Sequence, residues 1–243
     1  MLLPSDLSAI GYGDIPIIKK LNELSYVKKE DCFQSVYPWA GVRDIFEYMT
    51  CVEFAKARLL ALPSGSKLGS AHITPARYDS ASLVFFAQAT LDNLAVWLKG
   101  VFDLDLKGNN VSFYKNQIKA KLVEHSSDFE IVLDKYEDFI LNLNSYRMEW
   151  LHRVAGGARL CSDRNPSEQA SVISIQVPID PVIPSLVFER QKYIKRIEKT
   201  KQKNGGRWLM PIDEFAENIQ SKTKNLLIEI LECTVNAMVD ENV

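Results

Sequence analysis

The run ASLVFFAQATLDNLAVWLKGVF, residues 81–102, decides the fold class. Val84, Phe85, Ala87, Leu91, Leu94, Ala95, Leu98 and Val101 recur along it with almost no charge, which predicts a long helix through the centre of a helical bundle. Lys107-Gly108-Asn109-Asn110 ends the apolar run with turn chemistry. On the other side, Pro63 through Thr74-Pro75 reads as a loop of small residues that also carries His72. Before it, Ile45, Met49, Val52, Phe54, Ala55, Leu59 and Leu60 approximate a 3.6-residue period and predict a helix from Val42 to just before Pro63. Residues 1–41 hold a short helical candidate, Ile15 to Leu24, among turn formers and read as an irregular arm or cap.

Beyond the central run, helices are predicted across Phe113 to Val123 and from Phe129 to Leu143. In the second, Phe129, Val132, Leu133, Tyr136, Ile140 and Leu143 share a face. Asn142, Asn144 and Ser145 interrupt that pattern, and Ser145 reads as the N-cap of a new segment running from Tyr146 to Gly156-Gly157. Ser171 to Val177 alternates polar and apolar residues and is the one credible strand, stopped by Pro178, Pro181 and Pro184. A last helix starts at Pro211, with Asp213, Glu214 and Glu217 in its first turns and Phe215, Ile219, Leu226, Leu227, Ile230, Leu231 and Val235 along it. The expectation is a mainly α, up-and-down helical bundle over 42–243, with the arm at 1–41 and one short β element near 171–177.

Composition narrows the function classes. A net charge of -2 gives no whole-protein attraction to nucleic acid or membrane, so a polyanion partner must be read from local clusters. No apolar run reaches the roughly 20 residues of a membrane span, and the start lacks the basic and apolar regions of a secretory signal. A cytoplasmic protein is the expectation. Cys32, Cys51, Cys161 and Cys233 are dispersed with no C-x-x-C pair or zinc spacing, and read as free thiols in a reducing compartment. Neither a metal nor a cofactor is expected.

The chemistry concentrates between Asn142 and Arg153. Arg147 continues the stripe of Tyr136, Ile140 and Leu143, where packing would ask for an aliphatic side chain, and His152 follows five positions later. An arginine is a fixed cation suited to phosphate, and a histidine moves protons near neutral pH. Together they suit RNA cleavage without a metal, because the ribose 2'-hydroxyl is an internal nucleophile and a cation stabilises the charge that develops on phosphorus. Five residues turn a regular helix by about 140°, so one helix does not aim both side chains at one phosphate. Asn142, Asn144, Glu149 and Arg153 are the supporting polar candidates. The structural alternative pairs Arg147 with a buried carboxylate and makes His152 an ordinary surface residue.

A second feature is the basic segment 190–207. Arg190, Lys192, Lys195, Arg196, Lys199, Lys201, Lys203 and Arg207 stand against the single acid Glu198, with Tyr193 interleaved and Trp208 adjoining. It reads as a polyanion-binding stretch, or else as a solvated face and loop. His72 and His125 are weaker candidates, His125 sitting at a helix end where a cation suits the dipole. Glu124 and Glu149 are carboxylates on helices, more often solvated than catalytic.

A helical bundle carrying Arg147-Met148-Glu149-Trp150-Leu151-His152, an R-x4-H motif, near its penultimate long helix resembles the HEPN superfamily of helical domains found in toxins, defence systems and RNA-processing proteins. The resemblance covers about residues 42–160, with the C-terminal helix completing the bundle. It implies a metal-independent endoribonuclease, Arg147 clamping phosphate and His152 as general acid or base, acting as a homodimer whose two motifs face one cleft. RNA and an antitoxin-like partner protein are the implied partners. Met148 departs from the family's polar residue, commonly Asn, after the Arg, and a degenerate member binds without cutting. The rival readings are a non-catalytic helical RNA- or protein-binding module, the partner of a toxin or defence system, and a phosphate-recognising nucleotide sensor.

Overall fold

In the computed structural model, the residues described are 16, 37–63, 70–152, 158–162, 171–177 and 208–240. They are mainly α. Six helices, α1 (Tyr37–Leu60), α2 (Ile73–Val101), α3 (Asn116–Val123), α4 (Asp128–Lys135), α5 (Glu137–His152) and α6 (Ile212–Asp240), accompany three strands, β1 (Ala158–Ser162), β2 (Ser171–Val177) and β3 (Trp208–Pro211). Most of the expected arm 1–41, and all of the basic segment 190–207, lie outside the described residues.

The central helix begins eight residues before Ala81. A 3-10 turn, Ser70–His72, leads into α2 at Ile73, so Thr74 and Pro75 are helical rather than loop. Pro75 is tolerated because the first N–H groups of a helix have no intrahelical acceptor to lose. Ser70–Val101 has the length and hydropathy to cross a bilayer, and 56% of its most apolar window is buried inside the protein, as in a core helix. The stripe is narrower than the composition suggests. Phe85 is exposed, as are Phe54 and Leu60 of α1, because the buried rows Leu83-Val84-Ala87 and Val52-Ala55-Leu59 pass beside them.

The chain divides into two compact units. The first contains α1 as far as Cys51, α2 from Phe86, α3, α4 and α6 from Lys222. Its core includes Phe46, Leu94, Leu98, Ile118, Phe129, Leu133, Leu226 and Ile230. Phe102 packs edge-on against Phe129 and stacks near His125, at ring distances of 5.7 and 4.6 Å. After α2 the chain turns through Asp103 and Gly108, both at positive φ, a region that glycine and, less readily, Asp tolerate. Helix α3 starts at Asn116 rather than Phe113 because Ser112 is engaged in a turn: the Lys115 N–H donates to its carbonyl at 2.9 Å, and its own hydroxyl donates to Asp92 at 3.2 Å.

The N-cap position of α4 is Ser127, which makes no side-chain cap bond; one residue earlier, the Ser126 Oγ accepts from the Asp128 N–H at 3.2 Å. The helix then stops at Tyr136, at φ -106 and ψ 5, whereas the apolar pattern predicts one helix through to Leu143. A single-residue break leaves the three- and four-residue spacing of apolar residues intact, so periodicity does not reveal it. The break is held by Glu229 of α6. Its carboxylate accepts from the Tyr136 hydroxyl at 2.6 Å and from Lys135 Nζ at 2.7 Å.

The second unit contains the rest of α1, α2 up to Phe85, α5, the sheet and α6 up to Ser221. Val52, Leu59, Leu83, Leu143, Phe215 and Ile219 are among its buried residues. Tyr146 meets Phe215 edge-on at 5.7 Å, and Lys56 bridges to Glu217 at 2.7 Å. The predicted strand at Ser171–Val177 is present, but it is not alone: it is the middle strand of an antiparallel sheet in the order β1-β2-β3. The register aligns Ala158 with Ile175, Leu160 with Ile173, Ile175 with Met210 and Val177 with Trp208. Ile173, in the middle strand, is buried. The flanking strands are too short, at five and four residues, to carry a period-2 signal of their own.

Candidate functional site

Helix α5 runs without interruption from Glu137 to His152, so the expected break at Asn144-Ser145 is absent. Ser145 does not cap a new segment; its hydroxyl donates back to the Leu141 carbonyl at 2.9 Å. A serine can bond this way inside a helix, which makes its presence an unreliable start signal.

Phe139, Ile140, Leu143 and Tyr146 form the buried side of α5. Arg147 lies roughly 40° around the helix from Leu143, at the margin of that stripe, and is half-buried rather than enclosed. This corrects the expectation of a buried-side arginine. The guanidinium end of a long side chain at a margin can reach water while its stem covers apolar surface.

With α5 continuous, positions 147 and 152 are separated by about 140° and roughly 7.5 Å of rise. Position 152 is the last of the helix, where the dipole favours a cation. Asn144 stands three residues before Arg147 and is its neighbour on the helix surface, whereas Asn142, at about 140°, and Glu149, two residues on, are not. Asn142 and Asn144 are both half-buried. Arg153 and the basic residues Arg190 to Arg207 lie outside the described residues.

The sheet gives this helix its setting within the second unit. Five residues after His152 separate it from Ala158, the first residue of β1, which aligns with Ile175 near the C-terminal end of β2. At that same end, Val177 closes β2 and pairs with Trp208, the first residue of β3. The basic segment belongs to the connection between those two paired residues. The start of β1 and both attachment points of the basic connection therefore share one end of one sheet.

A charged pair that the sequence reading passed over stands in the same unit. Asp79 is buried in α2 and pairs with Arg58 Nε of α1 at 3.0 Å, with the Arg58 guanidinium 5.8 Å from the Phe54 ring centre. The available signal was Asp79's place in the apolar row Ala76, Leu83 and Val84, where an acid needs a partner.

The weaker candidates take structural places. His125 stacks near Phe102, and Glu124 pairs with Lys121 at 2.8 Å. Cys51 and Cys233 are free thiols; burial, with the negative charge of Asp128 next in weight, pushes Cys233 up to about 11. Cys32 lies outside the described residues. Among the described residues no three His, Cys, Asp or Glu side chains gather as a metal site. Compared with known proteins, the chain matches no family model, no curated protein and no solved structure.

Proposed function

We propose that this chain is a metal-independent endoribonuclease of HEPN type, with Arg147 as the phosphate clamp and His152 as general acid or base. The observation that carries the reading is the shared sheet end: the helix bearing both residues leads to the end of the sheet at which the basic connection 178–207 begins and returns. Backbone-holding charge and phosphate chemistry are then tethered to one small scaffold, as an RNA-cutting site requires.

In this mechanism a neutral imidazole takes the proton of a ribose 2'-hydroxyl. The 2'-oxygen attacks the adjacent phosphorus, Arg147 stabilises the charge on the phosphorane, and the 5'-oxygen leaves with a proton from an imidazolium. The products are a 2',3'-cyclic phosphate and a 5'-hydroxyl end. Two imidazoles serve the two proton transfers best. The angle of about 140° between Arg147 and His152 on an unbroken helix supports a homodimer, in which one copy's Arg and the other's His meet at the scissile phosphate. Asn144, beside Arg147, is the supporting polar group favoured by the helix geometry. The setting is cytosolic.

One observation favours a second reading. Met148 stands where the family has a polar residue, which suits a non-catalytic module that binds RNA or a toxin or defence partner.

Incubating mixed RNA with wild type, Arg147→Ala and His152→Ala in EDTA separates the two. Cleavage by wild type that falls about 100-fold or more in folded variants is expected. Wild-type cleavage no faster than the variants' background sinks the nuclease.

A further inference from the structure

Helix α2 is uninterrupted from Ile73 to Val101, so helix geometry alone fixes which of its residues share a face. Tyr78, Ser82, Phe85, Asn93, Val96 and Gly100 all lie within about 40° of Ala89 around the axis. This row is about 33 Å long and holds no charged residue. Tyr78 is 69%, Phe85 47% and Val96 57% exposed; Gly100 is exposed, and Ser82, Ala89 and Asn93 are half-buried. Isolated apolar residues on a surface are ordinary, but a continuous uncharged row marks a contact.

Contacts bound the row on each flank. On one side, about 60–80° from Ala89, Phe86 lies 6.4 Å from Tyr48, ring centre to ring centre, and Asp79 pairs with Arg58; both partners belong to α1. On the other side, about 60° away, Asp92 accepts from the Ser112 hydroxyl. The exposed row runs between these contacts.

Reversed, the row is complementary to itself. Two copies of α2 laid antiparallel about a two-fold axis at Ala89 set Tyr78 opposite Gly100, Phe85 opposite Asn93 and Val96 opposite Ser82, with Ala89 against its own copy. Each large exposed side chain then meets a small or folded-back one. A parallel arrangement would instead set Tyr78 on Tyr78 and Phe85 on Phe85. The small positions have room: no atom of the described residues lies within 4 Å of where a Cβ would stand on Gly100, and the Asn93 amide donates back to the Ala89 carbonyl at 2.8 Å.

We infer that the outer row of α2 is a self-association surface, on which a second copy of this chain docks antiparallel with Ala89 at the two-fold axis. Such a contact is isologous and closes at two copies. It supplies a surface for the two-copy arrangement proposed above but does not rest on the nuclease reading, which can fail alone.

Sedimentation equilibrium of wild type, Ala89→Arg and Val96→Glu tests the surface, with circular dichroism as the control for folding. Wild type should be a dimer, and its dissociation constant should rise about tenfold or more in either variant, because each buries an unpaired charge in the row. Val96→Glu, at an exposed position, keeps the test open if Ala89→Arg does not fold. Disulfide trapping tests the register. Helix axes about 10 Å apart leave facing Cα atoms about 5 Å apart, a distance that a disulfide spans. Oxidised Ala89→Cys should therefore form a covalent dimer, as should Ser82→Cys/Val96→Cys. Ser82→Cys alone, about 21 Å along the helix from its own copy, should cross-link no more than wild type.

A wild type that is monomeric at about 100 μM overturns the inference. So does a dimer left intact by the folded variants, which places the contact on another face. Cross-linking of Ser82→Cys as complete as that of Ala89→Cys overturns the antiparallel register. RNA cleavage in EDTA by the same preparations reports separately: its absence sinks the nuclease reading and leaves a trapped dimer standing.

Discussion

The two units bury polar groups in different ways. In the first, the buried polar residues among those described are Gln88, Thr90, Ser112, Thr223 and Thr234, all uncharged. Thr90 and Thr234 donate to the carbonyls of Phe86 and Ile230, four residues back, at 2.9 and 2.8 Å. In the second, an ionised group, Asp79, is buried and held by a half-exposed arginine. Back-bonded hydroxyls need nothing beyond their own helix. A buried carboxylate needs a partner from another element, so Asp79 of the second unit depends on a tertiary arrangement, whereas Thr90 and Thr234 of the first depend on helix geometry. Ser112 of the first unit does reach another element, at Asp92 of α2. The candidate chemistry, on α5 and at the end of the sheet, lies in the unit built that way.

The largest effect expected is in the first unit. Phe129 is fully buried and touches Phe102, so Phe129→Ala should cost about 3–5 kcal/mol in urea unfolding through loss of transfer energy and a residual cavity. A loss below 1 kcal/mol breaks the description of that unit as aromatic-centred packing. In the second unit, Arg58→Ala leaves Asp79 buried without its cation. Because Arg58 is half in water, the expected cost is about 1–3 kcal/mol rather than that of a fully enclosed pair. Adding Asp79→Asn to Arg58→Ala should recover part of it, because a neutral amide is less costly to bury than a carboxylate. No recovery in the double variant shows that the arginine acts through its packing on Phe54.

The smallest effect concerns the helix break. Tyr136→Phe removes the hydroxyl donated to Glu229 and should cost about 1 kcal/mol. Burial, then the bond to Glu229, raises the Tyr136 hydroxyl above its ordinary value of 10.0, and the bond to Glu229 raises Lys135 above 10.5. Folding therefore tightens proton binding at both groups. Their stabilisation is complete below about pH 10 and is lost as pH rises through the raised values. Thermal melts from pH 8 to 11 should show this alkaline loss in wild type and a smaller one in Tyr136→Phe. Identical slopes would show that the break is not held by this contact.

Long helices were legible because their apolar residues repeat. The buried residues Phe215, Ile219, Leu226, Leu227, Ile230, Leu231 and Val235 of α6 follow the 3.6-residue period closely. Short-range polarity was a poorer guide. Ser145 and Asn144 suggested a break within α5, yet the helix passes through them, while the break that exists, at Tyr136, leaves the apolar spacing undisturbed. The candidate site was legible as a pair of residues, Arg147 and His152, but its surroundings were not. Asn144's place next to Arg147 follows only once α5 is known to be continuous.

By itself, then, the sequence determined the mainly α character, the central and last helices, the strand at 171–177 and the R-x4-H spacing, because each is a local repeat or a fixed number of residues. Tertiary structure alone decided that β1 and β3 flank that strand, that Glu229 holds the break at Tyr136, that Arg58 answers Asp79, and that the end of α5 leads to the sheet end from which the basic connection departs. Each of these joins residues far apart in the chain through pairing register or complementary charge, and neither leaves a periodic mark in the sequence.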